Sequence, residues 1–169
     1  GTFNPGKIVR PPKMDDRSLF RFAPGYSNAP IATTMDWSDF GSFNQALEMC
    51  NNNGACRKSD VAVMCPSFRV SSDEQHVTRG RANTLRLAVS GQLGPEALSS
   101  DAMFDTMALC VSCKGCKREC PTGIDMAKMK IEFLHQYYKK NSLSLKDRLV
   151  AYLPRYAYRM RNLSFLLNL

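Results

Sequence analysis

Apolar positions along this chain take up helical spacing from Phe43 onward and follow no period before it. Phe43, Ala46, Leu47 and Met49 recur at intervals of three and four behind Ser42, whose hydroxyl suits an N-cap, and the run stops near Cys50 at the turn formers Asn51, Asn52, Asn53 and Gly54. Ser71 or Ser72 is expected to cap a segment opening on Asp73 and Glu74, acids suited to the positive end of a helix. A helix then covers residues 79–90, burying Ala82, Leu85 and Val89, turning Arg79, Arg81 and Arg86 away from that stripe and ending at Gly91. A third helix starts at Asp101 as cap and runs through Met103, Phe104, Met107 and Ala108 to Cys110. A fourth spans residues 124–140, with Met126, Met129, Phe133 and Tyr137 on one face and Lys139 and Lys140 at its negative end. From Ser144 a basic amphipathic segment carries Leu149, Val150, Tyr152 and Leu153, breaks at Pro154 and resumes to Leu169, ending on Phe165, Leu166 and Leu167. No β alternation appears, so the expected fold class is all-α.

Residues 1–39 contain Pro5, Pro11, Pro12, Pro24 and Pro30, spaced too closely for a helix, and read as an extended N-terminal connector. The connector has apolar residues of its own (Phe20, Phe22, Tyr26, Ile31 and Trp37), so it is expected to lie along a folded surface. The division that follows is 1–39 connector, 40–142 helical domain and 143–169 basic amphipathic tail leading into a further C-terminal part.

The net charge of +8 is concentrated at one end. Residues 121–169 hold nine basic and three acidic side chains, whereas residues 1–49 balance at five each. Such a tail serves nucleic acid, anionic lipid, an acidic partner or simply a solvated helix face. No apolar run exceeds five residues, far below the roughly 20 that cross a bilayer, and the N-terminus has no secretory-signal pattern.

Seven cysteines, an odd number in short regular spacings, point to a metal site in a reducing compartment rather than to a disulfide framework. Cys110, Cys113, Cys116 and Cys120, followed by Pro121, give C-x2-C-x2-C-x3-C-P, the iron–sulfur run in which three thiolates hold one cluster and the fourth holds the other. Gly115 eases the turn, and Pro121 stops a helix from continuing through Cys120. Upstream, Cys50, Cys56 and Cys65, followed by Pro66, repeat the pattern with Asn53 where a second cysteine would stand. Zinc would use pairs, and a redox disulfide at Cys113 and Cys116 would need no third or fourth thiol. Under the crossed rule, Cys110, Cys113, Cys116 and Cys65 bind one [4Fe-4S] cluster. Cys50, Cys56 and Cys120 are left for a [3Fe-4S] or an incompletely ligated [4Fe-4S] cluster, with Asn53 a weak donor and Asp60 and His76 as further candidates.

The stretch from Cys50 to Tyr138, with CNNNGACRK, MCPSFR, TRGRANTLR, LCVSCKGCKRECP and GIDMAKMK, resembles the ferredoxin part of FAD-linked 2-hydroxyacid dehydrogenases, relatives of D-lactate dehydrogenase and of the glycolate oxidase iron–sulfur subunit. The opening GTFNPGKI resembles the end of an FAD-linked oxidase catalytic domain, placing the end of a flavin domain at residues 1–8. C-x5-C at Cys50 and Cys56 is also similar, in reversed order, to the [3Fe-4S] site of succinate dehydrogenase iron–sulfur subunits. The resemblance implies an α-helical ferredoxin fold, in keeping with the 44 residues between Cys65 and Cys110. It further implies that the full-length protein, with FAD, oxidises a D-2-hydroxy acid to a 2-oxo acid.

The expected role of this chain is therefore an electron relay from a flavin domain to a downstream acceptor, with no catalytic residue of its own; His76 and His135 lack an evident partner and read as structural. Lys114, Lys117 and Arg118 beside one run, and Arg57 and Lys58 beside the other, are candidate cations for raising cluster potentials. Arg79 and Arg81 are expected to make structural contacts with a neighbouring domain or loop. A detached iron–sulfur subunit of a membrane quinone reductase is the alternative. A zinc-based nucleic-acid module fits poorly, because the excess charge lies away from the cysteines and no aromatic platform accompanies it, so no nucleic-acid partner is expected. The expected location is the cytoplasm, with the inner face of a membrane as one place for the acceptor.

Overall fold

A computed structural model describes residues 4–20, 22, 24–58 and 61–161. Among them are seven α-helices: α1 (Phe43–Glu48), α2 (Pro66–Ser71), α3 (Thr78–Val89), α4 (Asp101–Ala108), α5 (Gly115–Glu119), α6 (Met126–Tyr138) and α7 (Leu145–Met160), joined by short 3-10 turns. No strand occurs among the described residues, only an isolated bridge between Pro5 and Val9. The fold is all-α, and none of these helices is long and apolar enough to cross a membrane.

The chain packs around α3. Its stripe of Ala82, Leu85, Ala88 and Val89 is buried against α1, which contributes Phe43, Ala46 and Leu47, and against α4 and α6, which contribute Met103, Met107, Met129 and Phe133. Several ends are set by the residues the sequence nominated. Ser42 Oγ accepts the Gln45 N–H at 3.1 Å, and Ser144 Oγ accepts the Asp147 N–H at 3.1 Å.

Other ends differ from expectation. Ser71 and Ser72 cap nothing downstream. They close α2, which Pro66 starts directly after Cys65, and Ser72 is its left-handed C-cap. Six residues are too few to show a period, so α2 has no signature in the sequence beyond Pro66. Asp73 caps the 3-10 turn Glu74–His76 instead, its carboxylate accepting the Gln75 N–H at 2.8 Å. Ser100, one residue before the expected Asp101, caps α4. The expected helix over 124–140 is trimmed to α6 because Asp125 caps it, accepting the Lys128 N–H at 3.0 Å. Pro154 does not break α7. The helix lies on the surface, where the Val150 carbonyl left without a donor can meet water, and the Tyr156 hydroxyl donates to the adjacent Leu149 carbonyl. Residues 165–169 of the apolar ending lie outside the described residues.

The connector is tied down from Phe22 and Tyr26, whose rings stack 4.6 Å apart with the Arg86 guanidinium of α3 over both. The Ala29 N–H donates to Val89 O at 3.0 Å, and Asn28 donates to Glu48 at 2.6 Å. Buried Glu132 on α6 accepts from the backbone N–H of Thr34 and Met35 and from Trp37 Nε1, at 3.1 to 3.3 Å. This seats Trp37 in the core beside Phe43, and the Lys128 ammonium lies 4.3 Å from the Trp37 ring centre. Residues 4–20 are almost wholly exposed.

Candidate metal centre

Four of the seven cysteines line one cavity. Cys110, Cys113 and Cys116 reach it from the loop between α4 and α5, and Cys65 reaches it from 45 residues upstream at the head of α2; the walls include Thr78, Arg81 and Met126. Tight left-handed turns wrap the loop around this space, and they fall on Ser112 (φ 54°) and Lys114 (φ 58°), not on Gly115. Gly115 begins α5, where a Cβ would sit 3.4 Å from Met64 N and Val63 Cγ1, so its value is the close approach of the two cysteine-bearing loops. Glu119 locks that approach: its two carboxylate oxygens accept the N–H groups of Val63 and Met64, each at 2.9 Å, and these bonds hold its pKa below the ordinary value. α5 ends at Glu119, and Cys120, just before Pro121, is extended.

Cys50 and Cys56 form a second group at the other side of the α3 N-terminus. Burial pushes the Cys56 thiol up, opposed by a hydrogen bond from the Arg79 backbone N–H, and the neighbouring Cys65 and Cys50 push in the same direction as burial. The 3-10 turn Ala55–Arg57, which carries Cys56, packs against α5, whose last turn leads into Cys120. Asn53 is exposed and committed to its own loop, accepting the Ala55 N–H at 2.8 Å. Asn52 is nearer the sulfur: its Oδ1 lies 3.7 Å from Cys50 Sγ and also accepts from Asn83 at 2.7 Å. Sequence reasoning passed over Asn52 because only Asn53 stands at the register of the missing cysteine. Asp60 lies outside the described residues, and Nδ1 of His76 is buried without a hydrogen-bond partner among the described residues.

Helix N-termini supply donors to sulfur. Val77 offers α3 no side-chain cap, so its first-turn donors are available to ligands; Arg79 N–H serves Cys56, and the Thr78 hydroxyl lies 3.0 Å from Cys65 Sγ. At the head of α6, Met126 N–H donates to Cys116 Sγ at 3.3 Å. Burial pushes the Cys116 thiol up to about 11, the Met126 bond working against it. The Cys120 sulfur has the Thr122 hydroxyl at 3.3 Å.

Three of the five exposed cations beside the runs face carboxylates. Lys114 and Lys117 approach Asp125 at 3.8 and 3.7 Å, and Arg57 approaches Glu74 at 3.5 Å. Arg79 does make the loop contacts expected of it, with Glu74 at 2.6 Å and the Asn52 carbonyl at 3.4 Å. Arg81 does not sit on the polar side of α3. It is fully buried, its Nε donating to Thr106 O at 2.9 Å and its Nη1 to His76 O at 2.8 Å and Ser67 Oγ at 3.1 Å. Its Nη2 has no hydrogen-bond partner among the described residues, and no carboxylate there pairs with it. Half-buried Lys130 adds a second cation, donating to the carbonyls of Cys110 at 2.7 Å and Ala108 at 3.1 Å.

The donor set fits an anionic, sulfur-ligated group. Four thiols surround one space, N–H and O–H donors point at sulfur, and a buried guanidinium in the wall lacks a counter-charge. No three His, Cys, Asp or Glu side chains among the described residues converge as the ligands of one metal ion would.

Residues 46–124 match the family model of the 4Fe-4S dicluster domain. Over most of its length the chain is also similar to D-2-hydroxyglutarate dehydrogenases. It is 28% identical over 183 residues to that of Pseudomonas putida, 26% over 193 to that of Escherichia coli and 27% over 181 to that of Haemophilus influenzae. These alignments take in 87, 91 and 88% of this chain but 18, 18 and 17% of those proteins, so the chain spans under a fifth of the length of the curated relatives it matches. No solved structure matches it.

Proposed function

For a chain whose residues 46–124 match the family model of the 4Fe-4S dicluster domain, we propose a two-cluster relay that takes electrons from a flavin domain of the same polypeptide. Cys65, Cys110, Cys113 and Cys116 hold a [4Fe-4S] cluster, and Cys50, Cys56 and Cys120 hold a second that has three thiolates, as a [3Fe-4S] or an incompletely ligated [4Fe-4S] core. The observation that carries the reading is the meeting of Cys65 with the three cysteines of the downstream run around one cavity, the crossed arrangement that two-cluster spacing requires.

Such clusters accept and release one electron at a time, whereas a flavin takes two as hydride. This chain's own residues hold the clusters apart from bulk water, donate to the sulfurs and fix the two loops against each other. Cys113 is exposed, and on that side a one-electron partner can approach the site. The placement inside much longer proteins named D-2-hydroxyglutarate dehydrogenase supports a D-2-hydroxy acid as the electron source, with the oxidation itself performed outside these 169 residues.

Anaerobic addition of D-2-hydroxyglutarate to the intact polypeptide tests this. Its visible iron–sulfur absorbance is expected to bleach, while the reconstituted 169-residue chain is not bleached until reduced flavoprotein is added. Direct bleaching of the isolated chain by the hydroxy acid would contradict the relay.

A further inference from the structure

We infer that Arg81 sets the reduction potential of the cluster held by Cys65, Cys110, Cys113 and Cys116, its guanidinium serving as the permanent counter-charge built into the cavity wall. The inference rests on the iron–sulfur reading above and adds to it the residue that tunes one cluster and not the other.

A guanidinium without any solvent exposure is costly unless its charge and its donors are matched. Here three donors are matched by neutral oxygens of Thr106, His76 and Ser67, which satisfy hydrogen bonding but supply no charge. The remaining Nη2 is buried and unpartnered among the described residues, in a side chain that lines the four-cysteine cavity. The missing anion is therefore on the cavity side. A thiolate-ligated cluster is anionic, and taking up one electron makes it more so. A fixed positive charge in the wall thus favours the reduced form, and the full burial of Arg81 limits screening on its side. Lys114 and Lys117 are poor substitutes: they are largely exposed and lie against Asp125. Lys130 is only half-buried and is aimed at carbonyls. Arg79, at the other end of the same helical turn, pairs with Glu74, so the second cluster lacks an equivalent unpaired cation on α3.

The three bonds of Arg81 also tie α3 to α2 and α4, so stability alone cannot separate a tuning role from a structural one. The experiment is a redox titration of the anaerobically reconstituted chain, followed by electron paramagnetic resonance of each cluster, for wild type, Arg81→Met and Arg81→Lys. Iron and sulfide counts come first; absence of clusters in wild type would overturn the iron–sulfur reading itself, independently of Arg81. In loaded protein, Arg81→Met is expected to lower the reduced-to-oxidised ratio of the four-cysteine cluster about tenfold at fixed ambient potential, about 59 mV for one electron, and to leave the other cluster unchanged. Arg81→Lys keeps the charge and loses bonds, so it is expected to melt earlier yet stay within about threefold of wild type in that ratio. An unchanged ratio in Arg81→Met overturns the inference. If that variant does not load, a tenfold fall in the charge-preserving Arg81→Lys overturns it, and retention of the ratio there supports it.

Discussion

Two fully buried charges, Arg81 and Glu132, sit on facing parts of the same core and are handled in opposite ways. Glu132 has its partners in the chain. Burial alone would raise its pKa, but the N–H groups of Met35 and Thr34, Trp37 Nε1 and Gln136 outweigh that and hold it below the ordinary carboxylate value. A depressed pKa contributes stability that is present above about pH 4.5 and lost as the pH falls through the folded value. Glu132→Ala, which leaves those buried donors unmatched, should cost about 2–4 kcal/mol in urea unfolding at pH 7, with the difference from wild type shrinking in acid. A difference that stays constant from pH 7 to pH 3 would contradict the ionised anchor. Neither residue's role was legible beforehand. Arg81 is in phase with the buried stripe of α3, four residues before Leu85 and eight before Val89, but its charge argues for the polar side, and its partners Ser67 and Thr106 are distant in sequence. Glu132 sits among alternating charged and apolar residues, and its partners lie nearly a hundred positions away. The candidate cysteines stood out because their signal is local spacing, and a cluster demands sulfur at fixed intervals.

At the scale of elements, α3 organises both cysteine groups, its first turn donating toward Cys56 on one side and placing Thr78 and Arg81 at the four-cysteine cavity on the other. This requires the helix to lie almost in contact with the turn Glu74–His76, and Gly80 is the point of contact: a Cβ there would fall 1.9 Å from the Glu74 carbonyl oxygen. Gly80→Ala should therefore force α3 off that turn, costing about 1–3 kcal/mol in thermal or urea unfolding and reducing iron retention at both sites. Normal stability with full cluster content would show that the helix has room to spare. The long periodic helices α3 and α6 and the serine caps of α1 and α7 could be read from the chain within a residue or two. The short α2 could not, because a six-residue helix that starts at Pro66 directly after Cys65 carries no period. Nor could the persistence of α7 through Pro154, since surface exposure, which spares the freed carbonyl, is a tertiary property.

The described residues form a helical body that Phe22 and Tyr26 join and that runs to about Asn141, with residues 4–20 almost wholly exposed before it and an exposed helix after it. α7 buries none of its residues, and Leu145, Leu149, Tyr152, Leu153 and Met160 along it are exposed beside Arg148, Arg155 and Arg159. The body gathers cysteines from distant segments around one cavity, sets donors on the sulfurs and leaves Cys113 exposed. This body is expected to hold two iron–sulfur clusters of unequal completeness. Anaerobic reconstitution with iron and sulfide counts, a zinc assay and electron paramagnetic resonance before and after mild oxidation tests it in one preparation. The expected result is a brown protein with about seven to eight iron atoms per chain, matching sulfide, little zinc, and a [3Fe-4S] signal that oxidation brings out from the three-cysteine site. A colourless protein holding one equivalent of zinc, or a single cluster with no oxidation-sensitive companion, would contradict it.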